Sequence, residues 1–433
     1  MLDRRDFLMK MSATAGAFSL IKYDSQQFWT ELADADARVS ALSAEDVARN
    51  EDYWIPIQQA YPANPALINL NNGGVSPQPF VVQESFMHFN RMANDAPSYY
   101  MWRTLDAGRE PLRERLAKLG GCSPEEISIC RNTTEGLDNV IFGLDLKAGD
   151  EVILTKQDYP NMVNAWKQRE KRDGIVLKWI NFELPIEDDE AFVRKFEEAI
   201  TPKTKVIHIT HMINWVGQIQ PIAKIAQMAR SKGIATIADG AHTFAHFEFK
   251  IPDLGCDYFA TSLHKWLSAP FGSGMLYVKK DKIKNIWASF PNHMIESEDI
   301  RKFEGLGTRS IPTEMAINTA IDFHMGIGPA RKEARLRYLK NYWAKEAEKI
   351  SGVKLHTSLK KEYSCALALF SIEGKTPGDI ASHLETKYKL HVVAIEWENI
   401  KGVRVTPHVY SKLSDLDRLL EGINDLAKKQ ASK

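Results

Sequence analysis

Between Val152 and Val278, short runs of β-branched and apolar residues alternate with stretches of helical periodicity, and that alternation constrains the chain more than any other feature. Strands this short and this uniformly apolar are buried on both faces, the pattern of a mostly parallel sheet covered by helices. Strands are expected at residues 151–154, 176–180, 205–209, 234–238, 258–261 and 275–278, with helices at 161–172, 188–200 and 222–231, the last closed by Gly233. Beyond Pro312, helical stretches run to about 326 and from 329 to 350. The tail from about 352 mixes strands (366–372, 402–406) with helices (377–388, 414–428), as a smaller α+β unit does. The expected α/β organisation is therefore a large domain at 46–325 that includes an N-terminal arm, and a small C-terminal domain at 326–433. At 433 residues and 44% hydrophobic, the chain can bury such a core.

Charge excludes some partners. Lysine plus arginine equals aspartate plus glutamate at 56 each, so no global field favours nucleic acid or an anionic membrane. Four scattered cysteines without a CxxC pair make neither a disulfide framework nor a zinc ribbon. At the N-terminus, Asp3-Arg4-Arg5-Asp6-Phe7-Leu8 precedes a weakly apolar stretch at 11–21 and resembles a twin-arginine export signal, a route open to folded, cofactor-loaded cargo. The apolar stretch is too short to span a bilayer. Residues 1–45 are thus expected to be an export signal and linker, with the twin-arginine machinery as partner and the periplasm as destination. Read as a plain basic amphipathic segment, the same residues would leave the protein in the cytoplasm.

In open α/β sheets, ligands sit at the carboxyl ends of the strands. Three polar groups occupy such places. Arg131-Asn132-Thr133-Thr134-Glu135-Gly136 brings hydroxyls and backbone N–H groups to the start of a helix expected at 137–144, which suits a phosphate and equally suits an ordinary N-cap. Asp239, after the strand at 234–238, can pair with a protonated ring nitrogen, although Asp-Gly is also a turn. Lys265, in Ser262-Leu263-His264-Lys265-Trp266, is an amine that desolvation would make nucleophilic, and alone it reads as a surface charge. The pairs His208-x-x-His211 and His242-x-x-x-His246 have zinc-like spacing. On a strand, however, residues three apart face opposite ways, which points away from a metal.

Taken together and in this order, the motifs resemble the class V aminotransferase-fold enzymes, which include cysteine desulfurases and isopenicillin N epimerase-like proteins. The Asp239-Gly-Ala-His242 and Ser262-x-His264-Lys265 pair carries the likeness, which extends over roughly residues 65–425. The resemblance implies fold type I and pyridoxal 5'-phosphate held as an imine by Lys265. It also implies phosphate contacts from Thr133, Thr134, Ser262 and His264, with Tyr159 stacked on the ring. Asn214 would approach the ring hydroxyl, Asp239 the pyridine nitrogen, and His242 the ring oxygen or face. Thr308, in Gly307-Thr308, would reach the phosphate of a second subunit, implying a homodimer with shared active sites. Arg404, in Gly402-Val-Arg404-Val-Thr406, falls where such enzymes clamp a substrate carboxylate, and Arg309 and the run Tyr99-Tyr100-Met101-Trp102 are further pocket candidates.

The activity so implied is chemistry at Cα of an amino acid or an amino-acid-containing peptide, of epimerase or aminotransferase type. A lyase, or a periplasmic enzyme tailoring a secreted peptide or siderophore, is the alternative. A non-catalytic scaffold fits less well, because both the imine lysine and the ring-nitrogen aspartate are present. Desulfuration through a nucleophilic cysteine is not expected: none lies between Thr376 and Arg404, and Cys365 precedes a buried strand.

Overall fold

A computed structural model of the protein describes residues 25–431 apart from 63 and 65. Arg4 and Arg5, on which the export expectation rests, lie outside the described residues. The main sheet has seven strands in the order Ile127–Cys130, Gly274–Val278, Tyr258–Ser262, Ala235–Asp239, Thr204–Thr210, Glu151–Thr155 and Val176–Ile180. The last five are mutually parallel, as helical crossovers require, whereas Gly274–Val278 runs antiparallel to both neighbours. The reason is local. Only a short, helix-free link joins Tyr258–Ser262 to Gly274–Val278, and a parallel return needs a crossover of a dozen residues or more.

All six expected strands are present, most of them longer by a residue or two. Two differences matter. The edge strand Ile127–Cys130 was not anticipated; it is four residues long and follows a single 3-10 turn capped by Ser123. Asp239 is the final residue of its strand rather than the first after it, so the sheet itself orients the carboxylate.

The covering helices follow their end signals. Pro160–Asp173 begins on a proline and stops at Gly174 with φ 73°, and Ile222–Ser231 has the expected bounds. The helix Thr133–Gly143 begins four residues earlier than expected because Asn132, not a threonine, is its cap: the Asn132 side chain accepts from Glu135 N–H at 2.9 Å.

A second, antiparallel sheet of Val353–Leu355, Ala368–Ile372, Ile400–Val405 and Val393–Trp397 carries the helices Pro377–Tyr388 and Leu413–Ala431. Its core includes Trp343, Phe370, Leu384 and Val403, all fully buried. The chain also enters this body early. Ile68–Asn69 pairs in parallel with Leu390–His391, and Asn71 bridges Thr406. Among the described residues no helix is long and apolar enough to cross a membrane.

Candidate active site

A cavity of about 250 Å³ opens at the carboxyl ends of Thr204–Thr210, Ala235–Asp239 and Tyr258–Ser262. Its wall includes Lys265, Asp239, His242 and Asn214, and, toward the helix Thr133–Gly143, Thr133, Thr134, Ser262 and His264, with Tyr159 at the N-cap of the helix Pro160–Asp173. Nine of the residues singled out from sequence are thus brought together.

Lys265 is largely enclosed. Its Nζ lies 2.9 Å from His242 Nε2, and burial pushes its pKa down to about 8 against the opposing pull of Asp239, with Arg404 adding to the fall. His242 is held well below the ordinary histidine range by burial and then by Lys265, and its Nδ1 is buried without a hydrogen-bond partner. Asp239 is raised by burial, partly offset by His208 and by the Ala241 N–H that donates to Oδ1 at 3.0 Å. Among the described residues no donor reaches its second oxygen. The tight exit from this strand depends on Gly240, where a Cβ would lie 2.1 Å from the Phe259 ring.

At the other end, the Thr133 N–H donates to Ser262 Oγ at 3.0 Å, and the two hydroxyls are 2.7 Å apart. A backbone N–H cluster at the first turn of an 11-residue helix, flanked by hydroxyls, attracts an anion. Close approach of the two loops requires Gly274, whose added Cβ would meet the Asn132 backbone at 2.7 Å. His264 pairs its Nδ1 with Ser273 O at 3.1 Å, and burial lowers its pKa to about 4. An acid at one end, an anion site at the other and an amine on the wall between them match a flat, phosphorylated, basic heterocycle bearing a carbonyl.

Arg404 stands behind this cavity on the strand Ile400–Val405, nearly buried at 6% exposure. Nη1 donates to Asn214 O at 2.8 Å and Nη2 to Asn71 Oδ1 at 2.9 Å, while Nε has no partner. Among the described residues no carboxylate bonds it, and burial pushes its pKa down to about 10. A buried guanidinium lacking a counter-ion is costly, and an anionic ligand would relieve that cost.

Thr308 and Arg309 lie elsewhere. They line a separate cavity of about 360 Å³ together with Arg131, Glu135 and Phe271, outside the Lys265 cavity of the same chain. The Arg309 guanidinium is already engaged, its Nε 2.6 Å from Glu314, so within one chain it does not stand as a free clamp. Tyr99, at the cap of the π-helical turn Tyr100–Leu105, and Trp102, within it, are exposed and do not line the Lys265 cavity. No cysteine lines it either, and the buried Cys365 thiol is pushed up to about 12. Among the described residues no cluster of metal-ligating side chains occurs.

The wall also contains residues the sequence did not mark: Gly74, Asn161 and Thr210 among them. Thr210 had a usable signal, since it ends a strand beside Asp239. Gly74 had none, because its segment arrives from far along the chain.

Comparison with known proteins agrees with this arrangement. Residues 68–419 match the family model for class-V aminotransferases. Isopenicillin N epimerase from Amycolatopsis lactamdurans is 27% identical over 87% of this chain and 99% of its own. A probable cysteine desulfurase from Halalkalibacterium halodurans is 27% identical over 82% of this chain and 92% of its own, and hercynylcysteine sulfoxide lyase from Schizosaccharomyces pombe is 22% identical over 88% and 99%. Among solved structures, the cystine C–S lyase C-DES in complex with cysteine persulfide superposes with a TM-score of 0.75 at 22% identity, covering 84% of this chain and 98% of the other. That likeness carries the fold. With the family model spanning most of its length, the chain belongs to the class-V aminotransferases, pyridoxal-phosphate enzymes of fold type I.

Proposed function

We propose that the protein acts at Cα of an amino acid or an amino-acid-containing peptide, as an epimerase or aminotransferase. The observation that carries this reading is the depressed, enclosed amine of Lys265 on the wall between Asp239 and the Thr133–Ser262 anion site. Pyridoxal phosphate supplies a carbonyl that condenses with amines and a conjugated ring that accepts the electron pair left when a bond at Cα breaks. The rest falls to the protein. Asp239 would keep a proton on the ring nitrogen, Asn214 and His242 would face the ring oxygen, and Tyr159 would cover one face. Thr133, Thr134, Ser262 and His264 would hold the phosphate, with Thr308 joining them from a second subunit in a homodimer. Lys265 would take the Cα proton and return it. Arg404 anchors the substrate carboxylate through a guanidinium fork.

A proton supplied to Cα on the face opposite the one it left would give epimerisation, and transamination is the other outcome at the same site. A lyase outcome is the second reading, favoured by the hercynylcysteine sulfoxide lyase relative. Desulfuration through a nucleophilic cysteine is not part of it, because the cavity has no cysteine in its wall. Arg4-Arg5 supports export to the periplasm, where a secreted peptide or siderophore would be the substrate.

The test is Lys265→Ala, examined by visible absorbance and by peptide mapping after borohydride reduction. Both the absorbance of the lysine-bound cofactor and the reduced label should disappear, with turnover falling by about 10³-fold or more. A pyridoxyl label recovered on another lysine would overturn the assignment.

A further inference from the structure

Arg404 is held from two sides by groups of different kinds. Nη1 donates to the main-chain carbonyl of Asn214, whereas Nη2 donates to a side chain, Asn71 Oδ1, at 2.9 Å. Asn71 lies outside every motif described above, in the segment that follows Ile68–Asn69, and is half-buried. A guanidinium has only donors, so the amide atom facing Arg404 is the oxygen and the amide nitrogen faces away. That nitrogen lies 3.3 Å from His391 Nε2. An amide nitrogen only donates, so Nε2 accepts and the imidazole carries a proton on Nδ1. The three residues make one directed chain from Arg404 through Asn71 to His391, with the amide orientation set at both ends.

The same asparagine reaches the cavity wall. Its main-chain carbonyl accepts the Gly74 N–H at 3.2 Å, and Gly74 lines the Lys265 cavity. The choice of an amide at this point has an electrostatic meaning. An asparagine oxygen aims the guanidinium without neutralising it, whereas an aspartate of the same size would pair with it as an ion. Burial already disfavours the Arg404 charge, so a permanent carboxylate beside it would occupy the clamp in place of a ligand.

We propose that Asn71 is a positioning residue that aims Arg404 at the α-carboxylate of an amino-acid substrate and leaves its charge uncompensated, with His391 fixing the Asn71 amide. The proposal rests on the reading of Arg404 as the carboxylate anchor. The substrate class it selects is therefore an amine bearing a free carboxylate on the same carbon.

Two probes separate the roles in the holoenzyme. Aminooxyacetate and methoxyamine both attack the cofactor carbonyl through an aminooxy nitrogen, and only the first has a carboxylate. The readout is the ratio of their second-order rates, followed by the change in cofactor absorbance. Asn71→Asp should lower the ratio by about tenfold or more and Asn71→Ala by a smaller factor, while the methoxyamine rate stays within about twofold of wild type. A packing role would not rank the isosteric aspartate below alanine. A wild-type ratio in both Asn71 variants, beside a lowered one in Arg404→Ala, overturns the role of Asn71 and leaves the anchor reading standing. A wild-type ratio in Arg404→Ala overturns the anchor reading and this proposal with it. Equal slowing of both probes in Asn71→Asp makes the residue structural and also overturns the proposal. Should the Asn71 variants not fold, His391→Leu removes the acceptor behind the amide; it should lower the ratio, and an unchanged ratio would overturn the relay.

Discussion

Lys265 Nζ and His242 Nε2 face each other at 2.9 Å, and burial drives both groups toward their neutral forms, the amine to about 8 and the imidazole well below its usual range. A proton between them therefore rests on the lysine, with the histidine as acceptor. Such an amine is charged at neutral pH yet releases its proton readily. In apoprotein, the rate at which Lys265 captures added pyridoxal phosphate should rise with pH and level off above about 8, because the free base is the nucleophile. Capture monitored by absorbance that kept climbing to pH 10 would contradict the lowered value.

Arg404→Ala should leave the spectrum of the lysine-bound cofactor intact and raise the substrate requirement. Loss of a charge-assisted bidentate contact is worth about 2–4 kcal/mol, or roughly 30-fold to 1000-fold in kcat/KM. Arg404→Lys should recover only part of this, since an ammonium lacks the planar fork. Titration of each variant with the best amino acid from a substrate screen checks the order, and wild-type behaviour of Arg404→Ala would mean that the substrate is anchored elsewhere.

Asp239→Asn should act on a different step. The carboxylate ends its strand in the cavity, with one oxygen tied to Ala241 N–H and the other without a protein donor. Its replacement weakens the pull on the ring nitrogen, so Cα proton removal should slow by about 10²-fold or more while substrate capture changes little. Deuterium exchange at Cα, measured beside equilibrium binding, distinguishes the two; an effect confined to binding would refute the assignment.

Acid should destabilise the protein beginning just below neutrality. His208, His211, His242, His246, His324 and His408 are all buried, and burial lowers each pKa, to about 4 for His208 and about 3 for His211. A depressed histidine is protonated first in the unfolded chain, so stability falls as pH drops below about 6.5, by up to about 1.4 kcal/mol per pH unit for each group. Asp138, Asp158, Asp239 and Asp415 have pKa values raised by burial, to about 6 for Asp138 and Asp158, and oppose this as pH falls toward their ordinary range. Six histidines outweigh these four carboxylates. Urea midpoints of the apoprotein should therefore drop steadily from pH 7 to 5, and a flat profile would disprove the balance.

Replacing Arg4 and Arg5 by lysine preserves the charge of the N-terminus but removes the guanidinium pair that a twin-arginine receptor reads. The protein should then remain in the cytoplasm. Cell fractionation showing undiminished periplasmic protein would remove the export proposal.

Much of the centre was legible because its parts lie at strand ends within one regular stretch: Asp239 and Lys265 each follow an apolar run whose length and bounds the sequence marks clearly. The strand Ile127–Cys130 was not, since four residues give too little alternation to separate a strand from a loop. Contacts made across the chain left no local trace at all. Asn71 and Arg404 are 333 positions apart, and they meet through the pairing of Ile68–Asn69 with Leu390–His391 and the bridge of Asn71 to Thr406. The placement of Thr308 and Arg309 depended on the ion pairs of Glu304 and Glu314 with Arg109, which no periodicity encodes.

The pairing of Ile68–Asn69 with Leu390–His391 also decides how this architecture can be inherited. A recombinant that exchanged only the part after Gly328 would bring in a new Leu390–His391 edge and a new Arg404 against an old Asn71. One that carried residues 66–74 along with the C-terminal part would transfer the edge, the asparagine and the arginine as a set. Substrate recognition in such a protein therefore travels as a discontinuous unit, and three crossovers, rather than one, are needed to move it intact between relatives.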